Sequence, residues 1–154
     1  MPTNQDFRDL FAALNDAGAE YLVVGAHALA AHGHVRATKD LDVWVHSSAE
    51  NAERVYTALR NFGAPLDELS VADLAIPDIV FQMGVAPVRI DILTSVSGIT
   101  FEDAWPARVS SRYGDQPIQV LSRDYLIKNK LAAGRLQDLA DVEQLGGSVP
   151  NASK

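Results

Sequence analysis

The chain has 154 residues, enough for one domain and too few for two of ordinary size. It is 47% hydrophobic and 21% charged, which argues against a disordered chain, and its 13 Lys and Arg against 20 Asp and Glu give a net charge of −7, which excludes a wholly basic nucleic-acid coat. Without a cysteine it can build neither disulfides, nor thiolate zinc sites, nor a cysteine nucleophile. No apolar run approaches the roughly 18 residues of a membrane span, and Met1–Leu10 lacks the basic start and apolar stretch of a targeting signal, so a soluble, cytoplasmic, single-domain protein is expected.

Phe7, Leu10, Phe11 and Leu14 recur at helical spacing and predict an amphipathic helix over Thr3–Gly18, with Thr3 as its cap. Tyr21–Val24 is a short apolar run ending at Gly25, suited to a buried strand, and the alanines of Ala26–Ala31 predict a helix. Leu41–Val45 predicts a second strand. Ser47 and Glu50 form a capping box for a helix striped by Ala52, Val55, Leu59 and Phe62, which Gly63 ends. Pro65 and Pro77 bracket an irregular stretch with one helical turn near Val71–Leu74. Asp78–Met83 and Val88–Leu93 predict a hairpin through Gly84–Pro87. Ser95–Pro117 is the least regular region, with a strand at Arg108–Tyr113 and a turn at Gly114–Asp115, and Trp105 beside Pro106 reads as loop packing. A last strand, Ile118–Leu121, precedes a helix over Ser122–Ala133 with Tyr125, Leu126 and Leu131 directed to the core. Gly134 breaks that run, Leu136–Leu145 resumes it, and residues 147–154 form a polar tail expected to fray after a domain spanning 1–146. Strands interleaved with helices, one pair as a hairpin, predict an α/β (α+β) protein with a mixed sheet.

The chemistry concentrates between Tyr21 and Val45. On a strand Asp40 and Asp42 project from one face while Leu41 enters the core. Two converging carboxylates repel unless a cation lies between them, and all-oxygen ligation suits Mg²⁺ or Mn²⁺ rather than zinc. With 14 Asp in the chain, chance alone gives about one Asp-x-Asp, so the pair by itself could be a solvated strand end. Three neighbours favour a site. Asp91 lies in a predicted strand whose Val88, Ile90 and Ile92 face the core, so Asp91 is turned to the opposite side and, if that strand neighbours Leu41–Val45, can complete a cluster of three carboxylates. Gly25 permits close backbone approach where a helix begins, and Arg36, Thr38 and Lys39 put phosphate-binding groups beside the acidic pair. The combination fits a nucleoside triphosphate bound through metal. His27, His32, His34 and His46 match no zinc spacing and read as loop and helix-surface residues, His27 being near enough to the glycine turn to touch a nucleotide. Trp44 shares the acidic face by alternation.

Gly25-Ala26, Arg36-x-Thr38-x-Asp40-Leu41-Asp42 and Arg89-x-Asp91 together resemble the nucleotidyltransferase (polymerase-beta-like) superfamily. The ending Lys130-x4-Arg135-x2-Asp138-x2-Asp141 is similar to the last motif of its bacterial AbiEii-like group, which includes toxins of toxin–antitoxin pairs. Where the family usually has Gly-Gly or Gly-Ser this chain has Gly25-Ala26, which removes a hydroxyl contact.

The resemblance implies a nucleotidyltransferase-like mixed sheet flanked by helices, with a C-terminal helical pair. It also implies transfer of a nucleoside monophosphate from an NTP to a hydroxyl of an RNA, protein or small molecule. Asp40, Asp42 and Asp91 would be catalytic and hold Mg²⁺ or Mn²⁺, with Lys130 neutralising phosphate charge. Gly25, Ala26, Arg36, Thr38, Arg135 and Asp138 would line the nucleotide. An antitoxin or a second copy of the chain would be the macromolecular partner. Three other readings stay open at this level: a non-catalytic nucleotide- or partner-binding protein on the same fold; a helix-flanked interaction domain whose acidic cluster is accidental; and, for the last motif, an exposed network of surface ion pairs.

Overall fold

The computed structural model describes residues 4–35, 40–84 and 88–149. The proposed cap Thr3, the cationic residues Arg36 and Lys39, Thr38 and the tail from Pro150 onward lie outside them.

The first helix, α1 (Gln5–Asp16), buries Phe7, Leu10, Phe11 and Leu14, the stripe that its spacing predicts. Its cap is Asn4, whose side chain accepts from the Phe7 amide at 3.1 Å. Strand β1 (Tyr21–Val24) is buried on both faces and passes directly into α2 (Gly25–Ala31). Strand β2 (Asp40–Val45) is followed by α3 (Ala49–Phe62). The α3 cap is Ser48, one residue later than expected, because Ser48 Oγ and not that of Ser47 accepts from the Asn51 amide at 3.1 Å. Gly63 ends α3 in the left-handed conformation, φ +94°.

After a short 3₁₀ turn at Ala72–Ala75 come the antiparallel strands β3 (Val80–Met83) and β4 (Arg89–Leu93). The segment read as least regular contains a single-turn helix, α4 (Phe101–Ala104), capped by the Thr100 side chain and continued as 3₁₀ through Trp105–Ala107. Strands β5 (Val109–Tyr113) and β6 (Gln116–Val120) make a second antiparallel pair, and α5 (Arg123–Ala133) and α6 (Leu136–Gln144) close the fold. No helix among the described residues is long and apolar enough to cross a membrane.

The six strands of the described residues form one mixed sheet in the order β3-β4-β2-β1-β6-β5. β2 runs antiparallel to β1 and parallel to β4, while β6 runs parallel to β1. The end of β1 therefore meets the starts of β2 and β4 at one edge of the sheet. Leu41, Val43 and Val45 of β2 are fully buried on one face. On the other, Trp44 is covered by Phe101, whose ring meets it edge-on at 5.1 Å. Asn51, itself buried, fixes the opposite edge: its Oδ1 accepts from the Glu20 amide at 2.7 Å, and its Nδ2 donates to the carbonyls of Glu20 and His46 at 3.0 and 2.9 Å. That clamp ties the entry to β1 to the exit from β2 and so supports their register.

Candidate functional site

The carboxylates of Asp40 and Asp42 stand on one face of β2 because alternation sends the intervening Leu41 to the core. Parallel pairing brings β4 alongside in a register that sets Asp91 directly across from Asp42 and Arg89 directly across from Asp40. Ile90 and Ile92, on either side of Asp91, are buried on the core face, as the pattern predicts. Two apolar strands thus present three acids and an arginine from one face at one edge.

Asp42 and Asp91 lie close enough to interact through both charge and a hydrogen bond. Burial is the largest cause of a rise in the Asp42 pKa to about 6, followed by the charge of Asp91, the hydrogen bond to it and the charge of Asp40, with Arg89 opposing. Arg89 bridges the other pair. Its Nε donates to Asp91 Oδ1 at 3.1 Å, and its Nη2 reaches Asp91 Oδ2 at 3.3 Å and Asp40 Oδ2 at 3.4 Å. The motif reading used Arg89 only as a marker for Asp91; its position two residues earlier on a strand was the available signal that it shares the acidic face.

Gly25 lies against Asp42. With φ +68°, a Cβ there would lie 2.5 Å from Asp42 Oδ2, so only glycine lets the chain turn from β1 into α2 over that carboxylate. Its immediate role is to admit Asp42. His27, two residues on, packs edge-on against Phe7 at 5.4 Å and against Tyr113 at 6.2 Å. Burial lowers its pKa, and its Nε2 is enclosed without a hydrogen-bond partner among the described residues. His32 Nε2 pairs with the Leu121 carbonyl at 2.9 Å, and His46 Nδ1 pairs with Glu20 at 2.8 Å beyond the other end of β2.

The C-terminal motif is not the exposed network that a polar helix suggests. Gly134, in the left-handed conformation, separates α5 from α6, so the two helices pack together and turn the motif inward. Lys130, Asp138 and Asp141 are only 5%, 3% and 1% exposed. Lys130 Nζ donates to Asp141 Oδ2 at 2.8 Å and lies 3.5 Å from Asp138 Oδ1; Gln137 Nε2 donates to the other Asp141 oxygen at 2.9 Å. Lys130, not the half-buried Leu131, is the inward residue of this turn of α5. Arg135 is 80% exposed at its side chain, yet its Nε donates to Asp138 Oδ2 at 2.6 Å. Arg135 also feels the charge of Asp42, which connects the helical pair electrostatically to the acidic edge.

All-oxygen donors on two adjoining strands fit a hard divalent cation. Asp42 is held next to the like charges of Asp91 and Asp40, a repulsion that such an ion would relieve. With the side chains as they stand, no group of three or more His, Asp or Glu among the described residues has ligating geometry. Arg89 supplies the positive charge between Asp40 and Asp91.

No protein-family model matches the chain, and no curated protein matches it by sequence. Solved structures do match in three dimensions. A Thermotoga maritima protein described as a candidate nucleotidyltransferase superposes with a TM-score of 0.63 at 12% identity, covering 91% of this chain and 89% of its own. The lincosamide antibiotic adenylyltransferase LnuA, solved with lincomycin bound, gives 0.58 at 12% identity over 94% of this chain and 96% of its own. An antigenic nucleotidyltransferase-like protein from Paracoccidioides brasiliensis gives 0.50 at 13% identity over 91% and 72%. The chain has the fold of the nucleotidyltransferases.

Proposed function

We propose that the chain transfers a nucleoside monophosphate from a nucleoside triphosphate to a hydroxyl acceptor, releasing pyrophosphate, with Mg²⁺ or Mn²⁺ held by Asp40, Asp42 and Asp91. The observation that carries this reading is the register that puts Asp42 opposite Asp91 at the edge where β1, β2 and β4 meet, under a glycine that leaves room for nothing larger. A buried, mutually repelling acid pair is costly to keep, and a divalent cation is the ligand that repays it.

When bound, the ion would neutralise the triphosphate and stabilise the attacking and leaving oxygens of an in-line displacement. The protein's own part is to hold three carboxylates on rigid strands. Asp42, whose pKa burial and the neighbouring acids raise, must be ionised to hold the cation, and Asp91, the more buried of the two, would draw the proton of the acceptor hydroxyl. Arg135, exposed and facing solvent beside this charge, is suited to bind phosphate. Arg36 and Thr38 retain the phosphate-binding role that their motif gives them. Lys130 is tied to two buried aspartates and acts on the nucleotide by fixing the α5–α6 pair that carries Arg135.

LnuA modifies an antibiotic, which favours a small-molecule acceptor; the AbiEii-like ending favours a bacterial, cytoplasmic toxin acting on RNA or protein. The test is incubation of the full chain with labelled nucleoside triphosphates and Mn²⁺, against a small-molecule hydroxyl panel and total RNA. Pyrophosphate release that disappears in Asp42→Ala supports the enzyme. Nucleotide binding without turnover on any acceptor supports the binding-protein alternative.

A further inference from the structure

Arg89 is an arginine where a bound ion would need room. It rises from β4 opposite Asp40 and two residues before Asp91, on the same face as both. Its guanidinium occupies both oxygens of Asp91 and touches Asp40 across the strand boundary. The contacts run from 3.1 to 3.4 Å, longer than a tight charge-assisted fork, so the group is shared between two acids and locked to neither. Its side chain is 37% exposed, so it is not sealed between the two acids.

A cation that ligates Asp91 must share its oxygens with this fork or displace it. Arginine cannot lose its proton to make way, so it must move or remain as a repelling neighbour. The guanidinium fork matches phosphate as well as carboxylate, and a triphosphate arriving with the ion would bring new acceptors.

We propose that Arg89 is a positioning residue that holds Asp40 and Asp91 together ahead of ion binding, then yields them to the divalent ion and moves onto the polyphosphate of the nucleotide. The inference rests on the metal-dependent reading above. It makes the two ligands cooperative: Arg89 competes with the ion when no nucleotide is present and joins it when one is.

The experiment titrates Mn²⁺ into the full chain and follows the free ion by electron paramagnetic resonance, with and without a non-hydrolysable ATP analogue. Arg89→Gln removes the charge and keeps much of the length. It is expected to bind Mn²⁺ about tenfold more tightly than wild type without nucleotide, since a competing charge is gone. It should also lose most of the tightening that the analogue produces in wild type. Arg89→Lys keeps the charge but not the fork, and is expected to bind Mn²⁺ about threefold more tightly; it carries the test if the glutamine variant does not fold. Unchanged or weaker Mn²⁺ binding by folded variants overturns the proposal and marks Arg89 as purely structural. No Mn²⁺ bound by wild type, with or without nucleotide, overturns the metal-dependent reading and this proposal together.

Discussion

Asp42→Asn separates what the acidic edge costs in stability from what it provides in chemistry. In the folded chain the Asp42 carboxyl titrates at about 6, against 3.8 for an ordinary Asp, chiefly because it is buried and secondarily because Asp91 and Asp40 repel its charge. Between those values the folded state keeps a proton that the unfolded state has released. Stability therefore falls as pH rises from about 4 to about 6, and is flat above that. The full difference corresponds to about 3 kcal/mol. Asparagine keeps the shape, cannot ionise and can still donate to Asp91. In metal-free buffer the variant is expected to be about 2–3 kcal/mol more stable than wild type at pH 7.5, with the gap closing towards pH 4. Urea unfolding followed by circular dichroism across that range measures it. Saturating Mn²⁺ should stabilise wild type and leave the variant largely unmoved, because ligand binding to the native state adds stability only where the site exists. A variant less stable than wild type at pH 7.5, or a difference constant with pH, would refute the assignment of a buried, repelling carboxylate.

Three further outcomes follow from the same geometry. Gly25→Ala combines a left-handed backbone with a methyl 2.5 Å from Asp42 Oδ2, and should cost about 2–4 kcal/mol; adding Asp42→Ala should recover only the steric part, so thermal unfolding of the pair should be less than additive. Lys130→Met strands Asp138 and Asp141 in the α5–α6 contact with one fewer cation and should destabilise by about 3–5 kcal/mol, read by urea midpoint. Burial opposes the charge on Asp138, but hydrogen bonds and charge from Arg135, with Lys130, hold its pKa below the ordinary carboxyl value. Its stabilisation is thus present above about pH 4 and lost as pH falls through the depressed value, and Asp138→Asn should flatten the acid limb of the stability profile.

The sequence alone carried those parts of the protein that depend on neighbours in the chain. The α1 stripe, the strand at Tyr21–Val24, and the alternation that turns Asp40 and Asp42 away from Leu41 are consequences of local period, and each is present in the fold. Local chemistry was less decisive where two residues compete for one role. Ser47 and Ser48 both suit a cap, and the choice fell to the one whose hydroxyl reaches the Asn51 amide. The short α4 was hidden because a single turn has too few residues to show a period.

Long-range pairing decided the rest. Whether Asp91 meets Asp42 depends on β4 lying parallel beside β2, a crossover that no local pattern encodes. The same pairing turned Arg89 from a motif marker into the cation between two acids. Lys130, Asp138 and Asp141 read as surface residues by type, since isolated charges avoid the interior. They became interior when α6 folded back on α5 at Gly134 and supplied each charge with its opposite. Period follows from the geometry of adjacent residues, but burial of a charge is settled only by the partner that a distant segment brings.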